Sequence, residues 1–313
     1  MSATLALPTT MREAFLWAAA DAIDDPAADD RVVLVLADIS AGDDPIPALA
    51  ARHPDRVLNV GIREQLMVGV AGGLALAGFR PIVHSYAPFA VERPYEQLKL
   101  DLGHQGSGAV LVSIGASYDV GSGGRTHQAP EDVGVIDTLP GWTVHVPGHP
   151  EEADRLVRDA VAGEGLVYVR LSEATNAAPH HGAGLVTVQQ GRDGVVVAVG
   201  RTLDTVLEAV ASSGRDLTVL YTTTPRPFDA VGLRAAVEAL APEHAAAPTV
   251  TMVEPYLAGT SARVVAEALD DRPHRQVMLG THREESHRYG TRADHDAAHG
   301  LDVEGIGGRL WSS

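Results

Sequence analysis

Val32-Val-Leu-Val-Leu-Ala37 is an unbroken apolar run of strand length. A strand with no polar alternation must be covered on both faces, as in a parallel sheet flanked by helices. Outward from it the same pattern repeats. Before it, Thr10 and Glu13 have capping-box spacing and open a mostly apolar helix through Ile23. After it, strands are expected at residues 57–60, 81–85, 109–114, 142–146 and 166–171. Helices are expected between them at 63–77, 91–102, 130–139 and 151–162. Strand and helix alternate with short joints, so the fold class is α/β, doubly wound, with a mostly parallel sheet.

Residues 172–190 break the pattern: they are polar, carry Gly and Pro, and have no period. Alternation restarts with strands expected at 195–199, 217–221, 249–253 and 276–279, and with helices near 203–212 and 261–269. The expected organisation is a first domain at 1–175, a linker at 176–190 and a smaller α/β domain at 191–313. The length of 313 residues suits two domains.

Hydrophobic residues make up 45% and aromatics only 4%, so the core is built from Ala, Val and Leu. The formal net charge of −17 argues against nucleic-acid and polybasic membrane binding, which need a basic footprint. With no cysteine, a disulfide framework, a thiolate nucleophile and a Cys-ligated metal are excluded. The first residues carry no basic segment with a long apolar run, and no 18-residue apolar stretch occurs. A cytoplasmic chain is expected.

Several familiar motifs fail. Gly121-Ser-Gly-Gly-Arg-Thr126 lacks the third glycine of a dinucleotide loop, and neither a P-loop nor a Gly-x-Ser-x-Gly elbow occurs. His295 and His299 have the spacing of a zinc helix, but no third ligand is indicated. A solvated helix in a His-rich tail is the plainer reading.

Three stretches carry chemistry. In Asn59-Val-Gly-Ile-Arg-Glu-Gln-Leu-Met67 a strand ends, Gly61 turns the chain, and Glu64 opens a helix. A first-turn carboxylate complements the helix dipole. The rest of that helix is almost wholly apolar, so Glu64 is expected to be partly buried, which raises a carboxyl pKa unless a partner stabilises the charge. In Gly121-Ser-Gly-Gly-Arg-Thr-His-Gln-Ala-Pro-Glu-Asp132, His127 sits between a glycine-rich loop and a helix start. In His84-Ser-Tyr-Ala-Pro-Phe89, Tyr86 and Phe89 are either core plugs or a stacking platform for a planar ring.

Together these segments resemble the C-terminal half of thiamine-diphosphate-dependent transketolases. They are more closely similar to the smaller subunit of bacterial two-component transketolases. The motifs are Met11-Arg-Glu-Ala-Phe15, Leu36-Ala-Asp-Ile-Ser40, Gly61-Ile-Arg-Glu-Gln65, Arg93-Pro-Tyr-Glu-Gln97, Thr126-His-Gln128 and Pro130-Glu-Asp132. Arg226-Pro-Phe-Asp229 and Glu254-Pro-Tyr-Leu-Ala-Gly259 continue it into the second domain. The resemblance implies a pyrimidine-binding domain followed by a transketolase C-terminal-like domain. It implies a transferase that moves a two-carbon ketol unit from a ketose to an aldehyde.

The resemblance makes Glu64 and His127 the catalytic residues and Asp38, Glu64, Tyr86 and Phe89 the cofactor-binding ones. Glu64 would bond the pyrimidine N1′ and promote the imino tautomer, whose exocyclic nitrogen takes the thiazolium C2 proton. Asp38 would lie near the cofactor at a subunit interface. Tyr86 and Phe89 would stack on the pyrimidine, and His127 would face the donor's oxygens.

The Gly-Asp-Gly motif with which transketolases hold diphosphate and Mg²⁺ is missing; Gly42-Asp43 is followed by Asp44. The diphosphate and the Mg²⁺ ligands are therefore expected on an N-terminal partner subunit, in an α₂β₂ heterotetramer with the site between chains. This chain should have no metal site of its own.

Three substrate positions depart from the phosphosugar enzymes. Gly123 stands for an Asp, Gly115 for a His, and Glu173 for a phosphate-binding Arg. A carboxylate repels a phosphate, so a non-standard acceptor, or a phosphate read by Arg125, is expected in a specialised pathway. The alternatives are the β subunit of a 2-oxoacid dehydrogenase, a deoxyxylulose-phosphate synthase, and a non-catalytic transketolase-like assembly subunit.

Overall fold

The structure, a computed structural model, describes residues 8–25, 30–39, 45–245 and 247–311. Gly42, Asp43 and Asp44, the nearest approach to a diphosphate motif, lie outside these residues.

The first sheet contains β1 Val32–Leu36, β2 Val57–Asn59, β3 Arg80–Tyr86, β4 Val110–Ile114, β5 Trp142–His145 and β6 Leu166–Arg170. Their order is β2-β1-β3-β4-β6-β5, and every pair is parallel. All five residues of β1 are buried because alternate side chains feed opposite faces. Val33, Val35, Val83 and Leu111 pack with Met67, Val68 and Ala71 of the helix Glu64–Leu76. Leu34, Ile82, Val110 and Val112 pack with Ala14, Phe15 and Ala18 of the helix Met11–Asp24 and with Val157 of the helix Pro150–Ala162. Each fully buried Val, Leu or Phe in these layers contributes about 1.5–3 kcal/mol of transfer free energy. The capping box at Thr10 and Glu13 forms as expected.

The second sheet contains β7 Val186–Gln189, β8 Val195–Val199, β9 Thr218–Thr222, β10 Thr249–Leu257 and β11 Arg275–Thr281. Its order is β11-β10-β8-β9-β7, parallel except for β7, which pairs antiparallel with β9. The doubly wound α/β class read from the sequence is therefore correct, with a parallel first sheet and a second sheet made mixed by β7.

Two local expectations change. Residues 186–189, placed in a structureless seam, form β7. The polar, Gly- and Pro-bearing residues before them hid a short edge strand, Val-Thr-Val-Gln, that is only half covered. The helix expected at 91–102 is instead two π-wound stretches, Pro88–Glu92 and Leu98–His104, around one α-turn at Tyr95–Gln97. Pro94 lacks the N–H that a continuous helix requires at its centre, and the chain answers with an Arg93 N–H bond to Pro88 O at 3.0 Å.

Direct bonds fasten the two sheets together. Asp137 pairs with Arg226 at 2.6 Å, Ser117 Oγ donates to Pro255 O at 2.6 Å, and Leu257 N–H donates to Pro130 O at 2.8 Å. Among the described residues no helix is long and apolar enough to cross a membrane.

Candidate functional site

Register brings the expected residues to one edge. Leu36 pairs with Asn59 and with His84, and Tyr86 with Ile114, so β1 and β2 end together and β3 and β4 end together two residues further along the same edge. Ligands of open α/β sheets collect at this carboxyl edge. A cavity of about 620 Å³ opens there, with Asp38, Tyr86, Gly115 and Glu173 in its wall. A larger groove of about 780 Å³ lies by Val32, at the opposite end of β1, between Asp21, Asp24 and Arg158. It touches none of the expected residues.

Asp38 leaves β1 with a φ of 54°, in the left-handed region. That conformation costs a non-glycine residue about 1 kcal/mol or more. Asn59 holds it in place: its Oδ1 accepts the Asp38 N–H at 3.1 Å and the Gly61 N–H at 3.0 Å. The collar ties the ends of β1 and β2 together and leaves the Asp38 side chain exposed.

Glu64 opens its helix as expected and is 2% exposed. Its carboxylate has a partner that the sequence reading did not name. Arg93 Nη1 donates to both Glu64 oxygens at 2.8 Å. The Arg93 side chain is 40% exposed, and its guanidinium lies 4.2 Å above the Phe89 ring. The available signal was chemical: a carboxylate opening so apolar a helix needs a cation, and Arg93 heads the Arg93–Gln97 motif without a role assigned to it.

The aromatic residues meet. Tyr86 and Phe89 stand edge to face with ring centroids 6.3 Å apart. His127 stands edge-on to both, 5.8 Å from Tyr86 and 5.2 Å from Phe89. Tyr86, Phe89 and His127 are all half-buried, so they form a wall rather than a core plug. His127 closes a short 3-10 turn, Arg125–His127, with Thr126 Oγ1 3.0 Å from its Nδ1.

The wall explains two of the departures. A Cβ on Gly115, where φ is +72°, would lie 2.9 Å from the Tyr86 ring. A Cβ on Gly123 would lie 3.0 Å from His127 Cβ. Rings occupy the space that longer side chains would need.

Glu173 lies on the cavity rim, and its N–H donates to Asp119 Oδ2 at 3.0 Å. Burial and then the neighbouring Asp119 hold the Glu173 carboxyl above the ordinary range, against the pull of Arg292. Arg125 is already spent on Glu131 at 3.1 Å, Glu285 at 3.4 Å and the Gln128 carbonyl at 3.0 Å. Arg125, the residue expected to read a phosphate if one is bound here, is thus paired with two carboxylates.

Beneath the wall, Arg170 and Asp132 form a fully buried ion pair at 2.8 Å. Tyr168 donates to Asp132 at 2.7 Å, and Arg170 donates to Ser117 at 2.6 Å. This network seats the start of the loop that carries His127. His295 and His299 do not make a zinc pair. Their rings lie flat against Tyr118, and His299 Nδ1 accepts the His282 N–H at 3.1 Å. His282, Glu284 and His299 come within 4.8 Å of one another, but that hydrogen bond commits His299 to packing.

Comparison with known proteins agrees with this arrangement. Residues 10–177 match the family described as transketolase, pyrimidine binding domain. The chain is similar to an uncharacterized 33.6 kDa protein in the fasciation locus of Rhodococcoides fascians, at 53% identity over 89% of this chain and 87% of that one. It is similar to one subunit of the apulose-4-phosphate transketolase of Actinobacillus succinogenes, at 30% identity over 74% of this chain and 75% of that one. Its fold is that of a solved split-gene transketolase, an inactive β4 tetramer, with a TM-score of 0.78, 22% identity and 97% of each chain covered. A buried acid joined through Arg93 to an aromatic wall, on a parallel sheet lying wholly inside the matched residues, completes the assignment: the chain belongs to the transketolase family and carries its pyrimidine-binding domain.

Proposed function

We infer that this chain is the pyrimidine-binding subunit of a two-component, thiamine-diphosphate-dependent transketolase. The pyrimidine-binding unit spans 1–175, a linker spans 176–190, and a C-terminal unit spans 191–313. The observation that carries the reading is Glu64: a 2% exposed carboxylate joined through Arg93 to Phe89, whose ring meets Tyr86 and His127, at the edge where such sheets bind ligands.

The residues fit an aminopyrimidine. The three half-buried rings offer an apolar wall for a planar ring, and the buried acid, one residue removed through Arg93, offers a strong polar contact. Thiamine diphosphate, when bound, supplies the carbon nucleophile that takes up and hands on the two-carbon unit. Glu64 holds the pyrimidine N1′ and shares a proton with it, so Arg93 must release at least one of the two oxygens it now engages. Tyr86 and Phe89 flank the ring and exclude water. His127, against the same two rings, orients the donor's hydroxyl and carbonyl oxygens. Asp38 faces the cofactor from the exposed rim.

A separate chain brings the diphosphate and Mg²⁺ half, in an α₂β₂ assembly. Exposed Ile62, Leu66, Leu76 and Phe79, on and flanking the helix that Glu64 opens, support this reading as an apolar face beside the site. Calorimetry should detect no tight binding of thiamine diphosphate and Mg²⁺ by this chain alone; micromolar affinity without a partner overturns the two-chain reading. In the reconstituted pair, Glu64→Gln should cost at least about a hundredfold in turnover. Undiminished turnover removes Glu64 from the mechanism.

Glu173 on the rim and the neutralised Arg125 support an acceptor without a phosphate at this edge. A strong preference for ribose 5-phosphate over unphosphorylated aldehydes defeats that part. Pyruvate used in place of a ketose donor turns the reading toward a synthase.

A further inference from the structure

His295 and His299 have no place in the chemistry above, yet they are built into the fold. His295 is 1% exposed, and neither of its ring nitrogens has a hydrogen-bond partner. A buried polar ring without partners is costly, so its face must be what is used. That face lies parallel to Tyr118, with 4.3 Å between centroids and 1° between planes. Tyr118 also stacks on His299 at 5.0 Å and 18°. Tyr118 belongs to the loop between β4 and His127, whereas both histidines belong to the second unit.

The rest of that loop presses on the same unit. A Cβ on Gly121 would lie 2.5 Å from Gly290 O and 3.2 Å from His295 Cδ2. A Cβ on Gly124 would lie 2.8 Å from the Tyr289 ring. Gln128 Nε2 donates to Arg288 O at 3.4 Å. Gly121 and Gly124 are therefore close-approach residues that let the loop lie flat on the segment 282–299.

We propose that Tyr118, His295 and His299 form a ring stack through which the second unit positions the loop 117–128, and with it His127. These are positioning residues, since none of them reaches the aromatic wall. The stack is made for neutral imidazoles. An imidazolium at His295 would present two N–H donors where no acceptor stands. Burial, the largest influence, holds His295 below the ordinary histidine range; Asp294 and Asp296 oppose it and Arg288 assists it. His299 is held low by burial and by His282, His295 and Arg288, against Glu284. Facing them across the stack, Tyr118 senses Glu131 and Arg125. Asp296 is already paired with Arg201 at 2.7 Å, and Asp294 caps its own helix at Thr291.

A histidine whose pKa is lowered in the closed state favours closure fully above its ordinary value, about 6.5. As pH falls below that value, the open loop takes up the proton first. The opening constant then rises by up to about tenfold per pH unit until the closed-state value is reached.

Hydrogen exchange of residues 117–128, read by mass spectrometry on the full chain and corrected for intrinsic pH dependence, tests this. His295→Ala should speed exchange in that loop about tenfold or more at pH 7.5, with β8 and β10 unchanged. His295→Phe keeps the ring and should restore protection at pH 7.5 while removing the acceleration seen in the native chain at pH 5.5. If His295→Ala leaves loop exchange unchanged, or His295→Phe keeps the native pH dependence, the proposal fails. The consequence for His127 rests on the function proposed above, whereas loop exchange is read without it, so the two fail separately. In the reconstituted pair, His295→Ala should move the donor KM more than His295→Phe does.

Discussion

Arg93→Met tests whether the Glu64–Arg93 pair is as consequential as its geometry implies. The change removes a guanidinium that gives both Glu64 oxygens a 2.8 Å hydrogen bond and lies 4.2 Å above Phe89. Stripping the partner from a fully buried charge costs about 3–5 kcal/mol, whereas fully exposed pairs are worth about 0.2–1 kcal/mol. Glu64 is 2% exposed and Arg93 40%, so the pair falls between those limits. Water reaches one partner and can partly replace it, which puts the loss at about 2 kcal/mol. The cation–π contact adds about 0.5–1 kcal/mol at a partly exposed site. Urea unfolding at pH 7 with an unchanged m-value is the assay. Glu64→Gln should cost less, because its amide oxygen still accepts from Arg93, and the double mutant should show coupling of about 1–2 kcal/mol. An Arg93→Met variant within about 0.5 kcal/mol of the native chain would mean that Glu64 is stabilised by something else, and the release of Arg93 would drop out of the mechanism.

The remaining predictions concern stability and the wall. Burial, with Arg155 assisting, pushes His145 down to about 4, and its Nδ1 lies 2.9 Å from Thr224 Oγ1 across the two units. Its contribution is whole above pH 6.5 and is lost as pH falls from there toward 4, by up to about 3 kcal/mol. His145→Gln should flatten the urea midpoint over that range, and an unchanged slope refutes it. Glu254 is fully buried and pushed up to about 7 by that burial. Its contribution runs the other way, present below about pH 4.5 and lost as pH rises through 7. Glu254→Gln should therefore stabilise the chain at pH 8 by about 1–3 kcal/mol, and equal or lower stability there contradicts the burial argument. Gly115→Ala combines a left-handed φ with a 2.9 Å approach to Tyr86. It should cost about 1–3 kcal/mol and weaken cofactor uptake in the reconstituted pair, whereas a neutral effect on both would show the wall to be loose.

The first sheet was legible because β1 is one continuous apolar run, buried on both faces, and shorter apolar cores at Ile82–Val83 and Val110–Val112 repeat it. The burial of Glu64 and the meeting of Tyr86, Phe89 and His127 followed from residues that punctuate the joints at strand ends. Arg93 was not legible, because its pairing crosses 29 positions of chain and a π-wound turn that Pro94 forces. β7 was missed because its alternation, Val186-Thr-Val-Gln189, is only four residues long and follows directly on a Gly- and Pro-bearing stretch. The Tyr118–His295 contact could not be read either, since helical spacing reports which residues share a face and not what that face meets.

Within the seam at residues 172–190, 186–189 already belong to the second sheet as β7 and Asn176 N–H donates to Gly148 O, but its exposed stretch at 181–183 is not what grips the two sheets. Asp137–Arg226, Ser117–Pro255, Pro130–Leu257 and the 2.7 Å bond from Tyr221 to Glu152 all span the junction without using the exposed stretch near His181. A protease that severs the backbone there should thus yield two fragments that co-migrate as one particle until denaturant separates them. The same spot would accept new termini or an inserted tag with little disturbance to the fold.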